Sequence, residues 1–155
     1  MNKFYYCTVK RVFTVILLAF VGFGIQAQDV VINEFMSAND SVWADEDADY
    51  SDWIELYNNT SRSMLLSNYS LSDDGSKLNK WRFPPVSIGP NDFLVIYASG
   101  KNRSPVAGEM HTNFKIKSSG EALYLSKNGI IEHQTQPVSL RDDRSYGLFP
   151  DGSSF

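Results

Sequence analysis

The sequence predicts one all-β domain, a sandwich or a barrel, and three observations predict it. Beyond residue 27 no stretch spaces its apolar residues as a helix does. Short apolar runs recur instead every 8–15 positions, several of them alternating at period two. Between the runs stand the residues a backbone uses to reverse: Asp73-Asp74-Gly75, Pro84-Pro85, Gly89-Pro90, Lys127-Asn128-Gly129 and Asp151-Gly152. There is no internal repeat, low-complexity tract or linker.

Each run has its own warrant. VVINEFM (30–36) is nearly continuous in β-branched and apolar residues, with Glu34 expected to share the face of Ile32. In DWIELYN (52–58), Ile54 and Leu56 fall on one face and Trp53, Glu55 and Tyr57 on the other. Glu34 and Glu55 sit inside strands rather than loops. Either each faces outward and pairs across the sheet with a base such as Lys80 or Arg82, or each is a partly buried acceptor that fixes a loop. MLLSNYSLS (64–72) reads as one strand and KWRFP (80–84) as another. In FLVIYAS (93–99), Phe93, Val95 and Tyr97 oppose Leu94, Ile96 and Ala98. EALYLS (121–126) and GIIEH (129–133) flank Asn128-Gly129, whose tolerance of positive φ predicts a two-residue type I′ hairpin. RSYGLF (144–149) is the last run. Only a turn and the first residues of a further strand follow, so a neighbour is expected to keep an open edge, and the chain reads either as a fragment or as ending where its last strand should pair.

The first 27 residues differ in kind. Lys3, Lys10 and Arg11 precede the apolar run Val12 to Ile25, and small Ala27 closes it. These are the parts of a secretory signal peptide cleaved after Ala27. The run is short of the roughly 20 residues that span a bilayer. Cys7 lies upstream of the run, where cleavage would not make it a lipidated terminus. The expected mature chain, 28–155, keeps 11 basic and 18 acidic residues, a net charge of −7, and no cysteine. That excludes a cysteine nucleophile, a thiolate zinc site and a disulfide scaffold, and it argues against nucleic acid as a partner. No membrane span is expected in the mature chain, which would be periplasmic, surface-bound or secreted.

The chemistry-bearing stretch is DEDADYSDWIELYN (45–58), with six carboxylates in its first eleven positions. Asp45, Asp47 and Asp49 fit positions 1, 3 and 5 of an EF-hand loop, but Tyr50 replaces its glycine and Leu56 its closing glutamate. It is therefore no EF-hand. A looser calcium site on Asp45, Asp47, Asp49 and Asp52 is weighed against a solvated acidic loop feeding a strand, the commoner use of such a run. No cofactor is required, and calcium is the one candidate. A catalytic carboxylate pair needs a cleft, which nothing in the sequence supplies. His111 and His133 lack metal-site spacing, and neither a nucleophile elbow nor a phosphate loop is present. Ser99-Gly100-Lys101-Asn102-Arg103 is a small basic loop, an anion contact or only a turn. Trp43, Tyr50, Trp53, Tyr57 and Trp81 could stack sugars, although most aromatics of an all-β chain belong in its core.

Taken in order, several motifs resemble a bacterial lamin tail domain over about Val30 to Phe155. They are Ile32-Asn33-Glu34 in INEFMSAN, Asp52-Trp53-Ile54-Glu55-Leu56, LSNYSLSDD (66–74), KWRFP, Ala98-Ser99-Gly100-Lys101 in FLVIYASGKNR, His111-Thr112-Asn113-Phe114 in HTNFKIKSSGEALYLS, and DRSYGLFPDGS (143–153). The resemblance implies an immunoglobulin-like β-sandwich with no catalytic motif to carry over. It implies an interaction module, in bacteria carried by exported or surface proteins beside other domains. The expected function is therefore a non-catalytic binding module with a protein or cell-surface partner, accessory to other domains. The alternative is a carbohydrate-binding module for a polysaccharide, aided by calcium; an enzyme built on the acidic cluster ranks third. The expected surface is Trp43, Tyr50, Trp53, Tyr57, Lys101 and Arg103.

Overall fold

The computed structural model describes residues 28–153, so the expected signal peptide and the last two residues lie outside it. Ten strands form among the described residues: β1 Val30–Met36, β2 Trp53–Asn58, β3 Met64–Leu65, β4 Tyr69–Ser72, β5 Trp81–Arg82, β6 Ser87–Ile88, β7 Phe93–Tyr97, β8 Tyr124–Lys127, β9 Ile130–Gln134 and β10 Ser145–Gly147. They make two four-stranded antiparallel sheets, β10-β1-β2-β7 and β5-β4-β8-β9, with a small β3-β6 ribbon. Of the sandwich and the barrel that the sequence pattern leaves open, the sandwich forms, with the immunoglobulin-like architecture that the resemblance implies.

The core lies between the two inner faces. Ile54, Leu56 and Ile96 of the first sheet meet Leu71 and Leu125 of the second, all fully buried. Truncating any of these would cost about 2–5 kcal/mol, the range for buried aliphatics. A smaller cluster, Met36, Trp53 and Tyr97 with Val95, covers one end of the first sheet's outer face.

Three sequence expectations change. The register of β1 on β2 shifts between Ile32 and Glu34, a bulge at Asn33. An extra residue reverses side-chain parity, so Ile32 and Phe35 both point to the core and Glu34 does not share Ile32's face. Glu34 stands opposite Glu55, and neither pairs with Lys80 or Arg82. Glu55 instead accepts a hydrogen bond from Asn33 Nδ2 (3.1 Å), which also reaches Asp151 Oδ1 (3.0 Å) in the loop after β10. Burial first, then the charges of Glu34 and Asp151, push the Glu55 carboxyl up against the pull of Asn33. For Glu55 the loop-fixing alternative is the one observed. Finally, run 64–72 breaks into β3 and β4, because Tyr69 N–H returns to the Leu66 carbonyl (2.8 Å) in a turn. β3 then pairs with β6, a strand too short to leave a period-two signal.

The hairpin holds as read. Lys127 faces Ile130, with Asn128 at φ 53 and Gly129 at φ 77 between them. Gly129→Val forces a β-branched residue into the left-handed region and should cost about 1–2 kcal/mol. Urea unfolding of the variant checks this, and an unchanged midpoint would contradict the turn assignment.

Candidate functional site: the acidic loop and its internal cations

The loop entering β2 is held from within. Asn39, buried, donates from Nδ2 to the carbonyls of Trp43 (2.7 Å) and Ser51 (2.8 Å). Its Oδ1 accepts from the N–H groups of Val42 (3.1 Å) and Trp43 (3.3 Å). One amide thus joins both ends of the loop. Within it, Asp45 Oδ1 accepts from the N–H groups of Asp47 (3.0 Å) and Asp49 (3.1 Å), the short-side-chain turn that aspartate makes well. Asp45 Oδ2 accepts from Ser51 Oγ (2.8 Å).

The three aspartates read as calcium ligands do converge, with carboxylate oxygens within 4.8 Å of one another. What they converge on is Lys101. Its Nζ lies 2.6 Å from Asp45, 2.7 Å from Asp47 and 3.0 Å from Asp49. Arg103 adds contacts to Glu46 (3.1 Å) and Asp47 (2.7 Å). Glu109 accepts from the Glu46 N–H (2.6 Å). Both cations stand on the turn after β7, which reverses through Gly100 (φ 79) and Asn102 (φ 55). The anion met by this basic turn is the chain's own acidic loop.

The electrostatics follow from burial. The Asp45 side chain is wholly buried. Burial pushes its carboxyl up, but Lys101, Ser51 and the two backbone donors outweigh that and hold it at about 2. For Lys101, desolvation pulls the ammonium down, and Asp45, Asp47 and Asp49 more than reverse it. Asp52 does not join them. Its carboxyl accepts from the Ile116 N–H (3.3 Å), and burial pushes it up. It lines a cavity of about 360 Å³ with Tyr50, Lys101 and Lys115.

Ser99, His111 and Asp45 have the composition of a nucleophilic triad without its geometry. Ser99 Oγ (2.9 Å) and Asp45 Oδ2 (3.9 Å) both face His111 Nδ1. A triad puts the nucleophile and the acid on opposite ring nitrogens. Nε2 is buried without a hydrogen bond, and the ring stacks on Tyr97 at 5.3 Å. Burial, then the charge of Lys101, pulls the His111 pKa down. The three side chains are not arranged as a triad.

Of the expected surface residues, Trp43 (47% exposed) and Tyr50 (50%) are displayed on the loop. Trp53 is not. It is 7% exposed, sealed by Trp43, whose ring meets it edge-on at 6.1 Å. Tyr57 is half-buried near the other end of β2, against Phe93 at 4.8 Å. Lys101 and Arg103 are engaged with the loop carboxylates. Asn39, Ser51, Glu109 and His111 complete the arrangement. Glu109 and His111 have partners 63 and 66 residues away, so nothing local marks them, while Asn39 and Ser51 bond within the loop through residue types that any turn could hold.

An antiparallel sandwich with a closed ion-pair cluster on its loops, and no aligned nucleophile at that cluster, has the architecture of a binding module. The chain belongs to the lamin tail domain family, whose family model matches residues 25–139. The match ends before β10, the outer neighbour of β1. No curated protein matches the chain. The family is one of immunoglobulin-like domains, known for interaction rather than catalysis. Among the described residues no helix is long and apolar enough to cross a membrane.

Proposed function

We propose that this chain is a non-catalytic interaction module of an exported or cell-surface bacterial protein, accessory to other domains, and that it meets a protein partner through the loop of residues 39–52. The supporting observation is the half-exposed Trp43, fixed edge-on against Trp53 and Tyr97 (6.3 Å) on a loop closed by Lys101. A stiff aromatic anchor loses little entropy on binding, which is the usual character of a hot spot. The ammonium of Lys101 and the guanidinium of Arg103 offset part of the loop's negative charge from within the chain, which supports a reading without calcium. Export rests on the first 27 residues, and the terminus of the secreted product should be Gln28 by N-terminal sequencing.

The test is binding of the tagged chain to cells and to a protein-free cell-wall fraction of the source bacterium. Trp43→Ala with Tyr50→Ala should weaken cell binding at least tenfold, about 1.4 kcal/mol, measured well below a melting temperature that falls by several degrees as Trp53 is uncovered. Binding that survives the double substitution would refute the loop as the contact. Equal binding to the protein-free fraction would favour the polysaccharide alternative.

A further inference from the structure

A second cavity, about 270 Å³, opens on the other sheet and is lined by donors without a carboxylate: Ser67, Asn68, Ser70, Asn79, Arg82 and Asn128. Its walls come from four places. Arg82 on β5 and Ser70 on β4 are cross-strand partners on the sheet. Ser67 and Asn68 form the corner before β4, Asn79 the loop before β5, and Asn128 the β8–β9 turn. The walls are tied together. Asn128 N–H donates to the Asn68 carbonyl (2.9 Å), and the buried Ser70 Oγ donates to Asn79 Oδ1 (3.3 Å). With that oxygen engaged, the Asn79 Nδ2 end faces the hairpin turn, where a β-carbon on Gly129 would meet it at 3.6 Å.

Arg82 is exposed and its guanidinium has no ion-pair partner among the described residues, a state it shares with Lys115, Arg141 and Arg144, none of which lines this cavity. On a chain with a surplus of acids, an unpaired arginine beside three amides and two hydroxyls is a cavity poor in negative charge. A planar guanidinium reads a carboxylate with two parallel hydrogen bonds. Amides and hydroxyls serve neutral oxygens, which a ligand carrying a single charge must have in excess. The volume falls just below the roughly 300–1,000 Å³ of drug-sized ligand sites, which suits one sugar-sized unit.

We propose that this cavity binds a uronic-acid residue of an acidic saccharide, its carboxylate on Arg82 and its hydroxyls on Asn68, Asn79 and Asn128. The net negative charge repels long polyanions, but within about 8–10 Å, the screening length at physiological salt, a short oligomer is governed by the cavity's own groups. The site is independent of the loop of residues 39–52.

The experiment titrates the full chain by calorimetry with trigalacturonate, and with neutral galactotriose, a sulfated trisaccharide and inorganic phosphate. Saturable binding of trigalacturonate, weakened at least tenfold by Arg82→Gln and by Asn79→Ala, is expected, with galactotriose at least tenfold weaker. Arg82 is exposed and unpaired, so Arg82→Gln should melt like the parent, whereas Asn79→Ala takes the acceptor from the buried Ser70 hydroxyl and should melt somewhat lower while staying folded at the titration temperature. No saturable trigalacturonate binding, or equal affinity in Arg82→Gln, overturns the site. Stronger binding of the sulfated sugar overturns the carboxylate assignment, and phosphate binding as tightly as trigalacturonate overturns the saccharide.

Discussion

Lys101→Met should lower the unfolding free energy by about 3 kcal/mol, the scale of a buried ion pair broken from one side. At about 130 residues that corresponds to a fall of roughly 10 °C in melting temperature. Methionine keeps the length of the stem and removes the ammonium. The wholly buried Asp45 is then left with hydrogen bonds but no counter-charge, and three carboxylates face one another within 4.8 Å. Most of the loss comes from Asp45. Asp47 and Asp49 are partly exposed, so water screens them, and Asp47 keeps Arg103. Adding Asp45→Asn to Lys101→Met should recover part of the loss, since partners in one network do not add. Additive losses in denaturant titrations of the two single variants and the double would contradict a direct pair.

Acid should weaken the fold chiefly through His133. The imidazole is buried, and its Nδ1 accepts a hydrogen bond from the Ile32 N–H (3.2 Å), a contact between β9 and β1 that needs the neutral ring. Burial pulls its pKa down to about 4, against 6.5 when free. Between those values the unfolded chain binds the proton and the folded chain refuses it. Stability is therefore complete above pH 6.5, falls as pH drops through 6.5, and levels off near 4. The whole change is about 3 kcal/mol. His111, also held low, adds in the same direction. Asp45 acts lower: its contribution is present above 3.8 and is lost as pH falls toward 2. Denaturant titrations from pH 7 to 4 on His133→Gln, whose amide can still accept from Ile32, should show a clearly shallower slope than the parent. An unchanged slope would place the acid sensitivity elsewhere.

The strands were legible where side chains alternate against water or core. β2 and β7 follow their period-two patterns residue by residue, and Asn128-Gly129 names its own turn. β1 misleads because a bulge is a backbone event: nothing in VVINEFM says that Asn33 is the residue left unopposed. The short β6 lacks the length to show a period. The acidic loop was legible as a loop and as a convergence of Asp45, Asp47 and Asp49. Its cation was not, because Lys101 lies 52 residues beyond Asp49 and arrives by way of β7. Trp53 was expected at the surface from its strand face alone. Only the fold shows that Trp43 bends back to cover it.

The most direct test of the claim that Lys101 serves as the loop's own cation is thermal melting of the parent chain and Lys101→Met, each in excess calcium and in chelator. The parent should melt at one temperature in both solutions. The variant, whose carboxylates have lost their ammonium, should rise by several degrees in calcium, as ligand linkage to the folded state requires. A rise in the parent that vanishes on chelation would contradict the account and make the loop a calcium site.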